Sequence, residues 1–290
     1  MDFQLTDEQR ALRSGVRELL ARRFDADALR AAVDGGGLDR GLWRALGEAG
    51  FFSLRLPEEA GGVGLGLPEA ALLFEEAGRA LLPGPLIATH LAAGLVEGAA
   101  EGTTVVTAPD GGLVEWLAEA DAVRGDATGA EPLRSADPLT PLHRVPDAGD
   151  GGSPERALLS AAEQLGSAGR TTDLAAQHAR DRVQFGRPIG AFQAVKHLCA
   201  GMLVRTEVAR VAVYAAAVTG DAGEIAGAKL LADEAAVSCA RDCLQVYGGM
   251  GFTWEAEVHL HLKRAWLRRE RWPTPVQARE LQAVALEEAM

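Results

Sequence analysis

The chain has 290 residues, 48% of them apolar, which is enough for one large buried core or two ordinary ones. Its net charge of −12 argues against DNA, RNA or an anionic membrane as a main partner. No uninterrupted apolar run approaches a membrane span, and three cysteines without CxxC spacing do not make a disulfide framework.

Thr6 opens the first helix, with Gln9 three residues on in a capping-box pattern. Apolar residues then recur at Leu12, Val16, Leu19 and Leu20. This segment interleaves charge and apolar side chains and has no signal-peptide core, so a cytoplasmic protein is expected. A short helix is expected over 40–49 and two more over Pro68–Leu82 and Pro85–Leu95. The intervening LPEEAGGVGLG (56–66) is glycine-rich, but no strand leads into it and no nucleotide fingerprint follows, so it reads as a surface turn. Residues 1–100 therefore form an α domain.

Residues 101–152 change character. Thr103–Thr107 is a β-branched run and Leu113–Trp116 a second candidate strand, among turn-rich stretches such as GDATGA and PDAGDGG. From Ser153, which can cap, and Pro154, which suits a first helical position, the chain is helical again. Long helices are expected over 154–182, 191–219 and 222–247, and a final pair over 255–271 and 275–289. Cys199, Cys239 and Cys243 lie in these helices and are expected to be reduced and in or near the core. His259 and His261 are two apart with no evident third ligand, so no metal site is expected. The basic run Lys263–Arg271 reads as a solvated, partly interfacial helix face.

Two segments carry chemistry. In ARDRVQFGRPIGAFQAVKH (179–197), Arg182 offers a planar fork for phosphate or carboxylate, and Gln184 and Gln193 can donate and accept. In QVYGGMGF (245–252), three glycines in four residues allow positive φ and close backbone approach to a ligand. Together they suit a phosphate-bearing nucleotide. The competing reading is two helix-terminating turns.

RVQFGRPIGAFQAVKH and QVYGGMGF resemble the two C-terminal signatures of the acyl-CoA dehydrogenase family, and FQLTDEQRALRSGVRELL and LPEEAGGVGLG resemble its N-terminal domain. The resemblance covers residues 1–100 and 153–271. It implies a mainly α fold with an N-terminal helical domain, a middle β domain and a C-terminal four-helix bundle that builds the oligomer. It also implies FAD as cofactor and oxidation of an acyl-CoA to the enoyl-CoA. In that family the adenosine-pyrophosphate end of FAD lies across a subunit interface. Matched position by position, Arg182, Gln184, Phe185, Phe192 and Gln193 are implied as FAD contacts. Gln245, Gly248 and Gly249 are implied with them, all acting on a flavin held mainly by another chain.

The departures from the family pattern matter as much. Residues 101–152 lack the segment on which the flavin ring rests and are about half the usual length. Pro273 falls where many members place the catalytic glutamate, and a proline cannot take a proton. Another branch takes its glutamate from the start of the first bundle helix. Here that position falls near Arg156, which leaves Glu155 as a candidate base one residue out of place, or as a first-turn acid favourable to the helix dipole. The resemblance therefore implies a shortened subunit (1–100 α, 101–152 reduced β, 153–290 bundle) of a heteromeric enzyme. Its expected partner is a full-length paralogue in an α2β2 heterotetramer, of the kind acting in actinobacterial steroid side-chain degradation. A homo-oligomeric minimal dehydrogenase and a non-enzymatic scaffold are the alternatives.

Overall fold

The computed structural model describes residues 4–35, 37–146 and 152–288. The turn-rich stretch 147–151 and the expected end of the last helix at 289 lie outside them. The capping box at Thr6 forms as expected. Its hydroxyl accepts the Gln9 N–H, and the Gln9 side chain accepts the Thr6 N–H, both at 3.1 Å. Helix α1 (Asp7–Arg23) follows, then α2 (Ala26–Val33), which the apolar spacing had not announced. Asp25 caps α2 by accepting the Ala28 N–H at 3.0 Å, only two residues after α1 ends. Helices α3 (Arg40–Glu48), α4 (Leu67–Arg79) and α5 (Leu86–Ala92) complete this part. Its core is Trp43, Leu46, Phe51, Phe52 and Phe74, each no more than 2% exposed. The 56–66 loop is mostly exposed, as expected of a surface turn.

The β region is small. Strand β1 (Val106–Thr107) pairs parallel with β3 (Ala122–Val123), and β2 (Leu113–Glu115), β5 (Leu142–Arg144) and β4 (Glu131–Leu133) form an antiparallel sheet in the order β2-β5-β4. The β-branched run yields two strand residues instead of five, because the Thr103 and Thr104 N–H groups both turn back to the Gly98 carbonyl. The second strand stops at Glu115 because Trp116 takes φ +56.

Ser153 caps α6 (Pro154–Asp181) by accepting the Arg156 N–H at 3.2 Å. Helices α7 (Gln193–Thr219), α8 (Ala222–Tyr247), α9 (Val258–Arg269) and α10 (Pro275–Glu288) follow. Helix α6 packs closely on α8, and both bury small side chains, among them Ala157, Ala161 and Ala168 on α6 and Ala232, Ala236 and Ala240 on α8. Helix α4 crosses α6 at backbone contact. A Cβ on Gly78 would strike the Glu163 carbonyl, and one on Gly166 would strike the Glu75 carbonyl. Cys239 and Cys243 are buried and unpaired, Cys199 is half-buried, and burial pushes the Cys243 thiol up to about 12.

The basic run over 263–271 departs from expectation. Arg264, Arg268 and Arg271 are 5%, 4% and 3% exposed rather than solvated. Their spacing of four and three puts them on one face of α9 and its C-terminal extension. That face meets buried carboxylates from other parts of the chain. Arg264 pairs with Asp137, Arg268 with Glu163 at 2.8 Å and Glu115 at 2.9 Å, and Arg271 with Glu115 at 3.3 Å. Burial works against ionising Glu115, but Arg268, Arg271 and Arg264 outweigh it and hold its carboxyl below the usual range. Burial wins at Glu163, which is raised despite Arg268 and Arg264.

Candidate functional site

Helices α6 and α8 end, and α7 begins, at one end of the bundle, and this brings the two marked segments together. After α6 the chain makes a hairpin, β6 (Val183–Gln184) and β7 (Arg187–Pro188), with Val183 opposite Pro188 and Gln184 opposite Arg187. The register leaves a two-residue turn, Phe185-Gly186, at φ +53 and +76. Positive φ at both positions matches the twist of a tight hairpin, and Gly186 adopts it without steric cost. Phe185 is thereby carried to the tip, 90% exposed. Its ring meets Phe192 edge-on at 5.9 Å, and the Arg187 guanidinium lies 4.3 Å from the centre of the Phe192 ring. The Ile189 N–H closes the base of the hairpin on the Arg182 carbonyl at 2.8 Å.

Helix α8 ends at Tyr247, and Gly248 turns the chain at φ +61, ψ −141, backbone that only glycine adopts readily. No atom lies within 4 Å of where a Cβ on Gly248 or Gly249 would sit, so the backbone there is open to approach. The Tyr247 ring stacks on His178, in the last turn of α6, with centroids 4.1 Å apart and planes 17° from parallel. Burial, then the nearby Arg182 charge, lowers His178 below the ordinary histidine range.

Arg182, Gln184, Gln193 and Gln245 are exposed at this end, and none has a side-chain partner among the described residues. On the same helices Arg170, Arg205 and Arg210 each hold a carboxylate. Arg180, Arg182, Arg187 and Lys196 gather here in a chain of net charge −12, while the nearby Asp181 accepts from the Gln177 amide at 2.8 Å. An open groove of about 350 Å³ runs between α6, the hairpin and α7, with Ala179, Pro188 and Val195 in its wall and Arg180 and Lys196 at its edge. Unpaired cations, amides, an exposed aromatic and bare backbone suit a phosphate-bearing aromatic ligand.

The opposite end of α6 is closely packed where it is described. Where N-terminal helices, β region and bundle meet, a cavity of about 10 Å³ remains, bounded by Asp110, Glu115, Arg156, Ser160, Arg268 and Arg271. That is room for about one water molecule. Glu155 lies in the first turn of α6, half exposed and paired with Arg55 at 3.0 Å. His261 is buried and bonds the Ser167 hydroxyl through Nδ1 at 2.8 Å, and no His/Cys/Asp/Glu group able to hold a metal occurs among the described residues.

Residues 6–102 match the acyl-CoA dehydrogenase N-terminal domain family, and residues 153–270 match the acyl-CoA dehydrogenase C-terminal domain family. The chain belongs to the acyl-CoA dehydrogenase family. Members are flavoprotein oxidoreductases of acyl-CoA thioesters. The chain is 37% identical to acyl-CoA dehydrogenase IpdE2 of Mycolicibacterium smegmatis, over 90% of this chain and 93% of that protein. Its fold is shared with a variant of the Tcur3481-Tcur3483 steroid ACAD, at TM-score 0.83, 24% identity and 98% coverage of each chain. The ChsE4-ChsE5 complex from Mycobacterium tuberculosis contains a similar fold, at TM-score 0.80, 23% identity and coverage of 100% of this chain and 99% of that one. Both segments that meet at this end of the bundle, 179–197 and 245–252, lie within the stretch that matches the C-terminal domain family. Reading the sequence missed the His178–Tyr247 stack and the Arg187–Phe192 contact. Their signal was adjacency, since His178 lies one helical turn before Arg182 and Tyr247 directly precedes Gly248.

Proposed function

We propose that this chain is the smaller subunit of a heteromeric acyl-CoA dehydrogenase and clamps the adenosine-pyrophosphate end of an FAD whose ring lies in a full-length paralogue. Arg182 carries this reading, as an unpaired guanidinium in the cationic end of an acidic chain. The residues present fit that end of the cofactor. Arg182 would hold the pyrophosphate through its fork, and the amides of Gln184, Gln193 and Gln245 would bond phosphate, ribose or base edges. Phe185 and Phe192 would pack on the cofactor's apolar surface, and Gly248 and Gly249 would let backbone approach it. They do not fit the flavin ring, because the described β region consists of strands two or three residues long.

When bound, FAD accepts the hydride that an acyl-CoA loses from its β-carbon. The α-proton goes to a base, which on this reading belongs to the partner. Glu155 is engaged by Arg55 at the surface, and the junction near Arg156 has room for about one water molecule. The chain is read as three parts, 1–100, 101–152 and 153–290, and as cytoplasmic. No helix among the described residues is long and apolar enough to cross a membrane.

Assembly as α2β2 has support on the outer face of α7. Val204, Val208, Val211 and Val218, spaced by four, three and seven residues, are 50–62% exposed. Such a stripe is the seam one helix presents to another. A steroid side-chain CoA thioester is the proposed substrate class, by analogy with the steroid ACAD that shares the fold.

Co-expression with a full-length acyl-CoA dehydrogenase paralogue from the same source tests the proposal. The expected result is one FAD per pair of chains, with this chain colourless when purified alone. A stable yellow homotetramer with dehydrogenase activity would overturn it. A paralogue that keeps full flavin and activity without this chain would point to a scaffold instead.

A further inference from the structure

We infer that His178 and Tyr247 are positioning residues that fix the two halves of the flavin clamp against each other. The inference rests on the clamp reading above. The halves sit on the ends of different helices, the Arg182 hairpin after α6 and the Gly248-Gly249 turn after α8. Helix ends fray, because their last carbonyls lack intrahelical partners. A pyrophosphate gripped from both sides is held tightly only if the two ends keep their spacing.

The stack bridges the two ends where the spacing matters. His178 lies four residues before Arg182, and its carbonyl accepts the Arg182 N–H at 2.9 Å, the last helical bond of α6. Tyr247 is the last residue of α8, and the next residue is the glycine at φ +61. With rings 4.1 Å apart and nearly parallel, movement of either helix end is resisted by the other. The hairpin is braced separately on the α7 side by Phe185, Arg187 and Phe192. Arg182 is therefore held from its own helix through His178, and the glycine turn from its own through Tyr247. Burial and the Arg182 charge both favour the neutral imidazole, which stacks without repelling that guanidinium. Asp181 pulls the other way and is the weakest of the three influences.

The test is FAD titration into the apo-complex of this chain with its paralogue, read as a dissociation constant beside the melting temperature. His178→Ala is expected to weaken FAD binding about 2- to 12-fold, the range for one lost aromatic contact. His178→Tyr and Tyr247→Phe keep a stacked pair and are expected to stay close to wild type. Tyr247→Leu keeps apolar bulk but loses the ring and should resemble His178→Ala. The double variant His178→Ala/Tyr247→Leu should be little worse than either single one, since both remove one interaction. Hydrogen exchange adds a readout independent of activity. Amides 182–187 and 248–252 should both exchange faster in His178→Ala, although only the first segment adjoins the mutated helix. A lowered melting temperature with an unchanged FAD dissociation constant would overturn the positioning role. If Arg182→Ala also leaves that constant unchanged, the clamp reading itself fails. If Arg182→Ala weakens binding and His178→Ala does not, only the positioning inference fails.

Discussion

Arg182 shows how one side chain's lack of a partner carries meaning. Arg170, Arg205 and Arg210 on α6 and α7 each hold a carboxylate within the chain, whereas Arg182, like its neighbour Arg180, projects from the cationic end with no carboxylate partner among the described residues. A hydrogen bond to a charged group contributes about 1.5–3 kcal/mol, so Arg182→Ala should weaken FAD binding roughly 10- to 150-fold in the assembled enzyme. Arg182→Lys should recover part of this, because the ammonium keeps the charge and loses the fork. Titration of FAD into each apo-complex measures both. Glu155 makes the opposite prediction. Its carboxylate spans to Arg55 at the surface, so Glu155→Gln should leave turnover within a few-fold of wild type, and a loss of orders of magnitude would move the base into this chain. His90 contributes to the acid sensitivity expected of the fold. It is buried against Phe74, its Nδ1 lies 3.2 Å from the Phe51 carbonyl, and burial lowers it to about 4. Between pH 6.5 and 4 the unfolded chain binds a proton there that the folded chain does not. Stability should therefore fall as pH drops through that window, by roughly 3 kcal/mol for this group. Melting curves at pH 7 and 4.5 should show a smaller drop for His90→Gln. The drop should not vanish, because His261 is also held well below its ordinary value by burial.

Elements meet here by two different means. Helices α4 and α6 touch backbone to backbone because Gly78 faces the Glu163 carbonyl and Gly166 the Glu75 carbonyl. Gly166→Ala would force the helices apart and should cost about 1–3 kcal/mol or more, with Gly78→Ala similar and the pair less than additive. Denaturant titration of the three variants reads this directly. Helix α9 joins the β region through charge instead. Glu115→Ala would leave Arg268 with one carboxylate and Arg271 without this one, both in a buried site. A loss of about 3–5 kcal/mol is expected in the same assay. Glu115→Gln, which keeps acceptor capacity on its carbonyl oxygen, should lose less.

At the scale of the whole molecule, the outer face of α7 leaves the fold unfinished. Four valines more than half solvent-exposed or close to it, in line along one helix, are a liability in an isolated chain and a contact surface in an assembly. Expressed alone, the chain should therefore aggregate or purify without stoichiometric flavin. Val204→Glu/Val208→Glu should prevent co-purification with the paralogue while leaving the helical circular-dichroism signal intact. A complex of unchanged mass in this double variant would show that assembly uses another surface.

The sequence by itself determined the long helices of the bundle and the caps that open α1 and α6. Helical periodicity, Thr6 with Gln9, and Ser153 with Pro154 are local rules that act whatever the chain later packs against. It also marked the two segments that meet at the end of the bundle, because the turn signals Gly186 and Pro188 and the glycines after Tyr247 are written in neighbouring residues, whereas the hairpin itself was not read from them. Helix α2 escaped notice because eight residues give too few periods to separate from a loop. Only the tertiary structure decided the fate of Arg264, Arg268 and Arg271. Their helical spacing was visible, but whether a charged face meets water or carboxylates depends on Glu115, Asp137 and Glu163, which lie roughly a hundred or more residues away in the chain. The His178–Tyr247 stack is of the same kind. Each ring is unremarked in its own helix, and their contact exists because α6 and α8 end side by side, a relation between distant segments that no local pattern encodes.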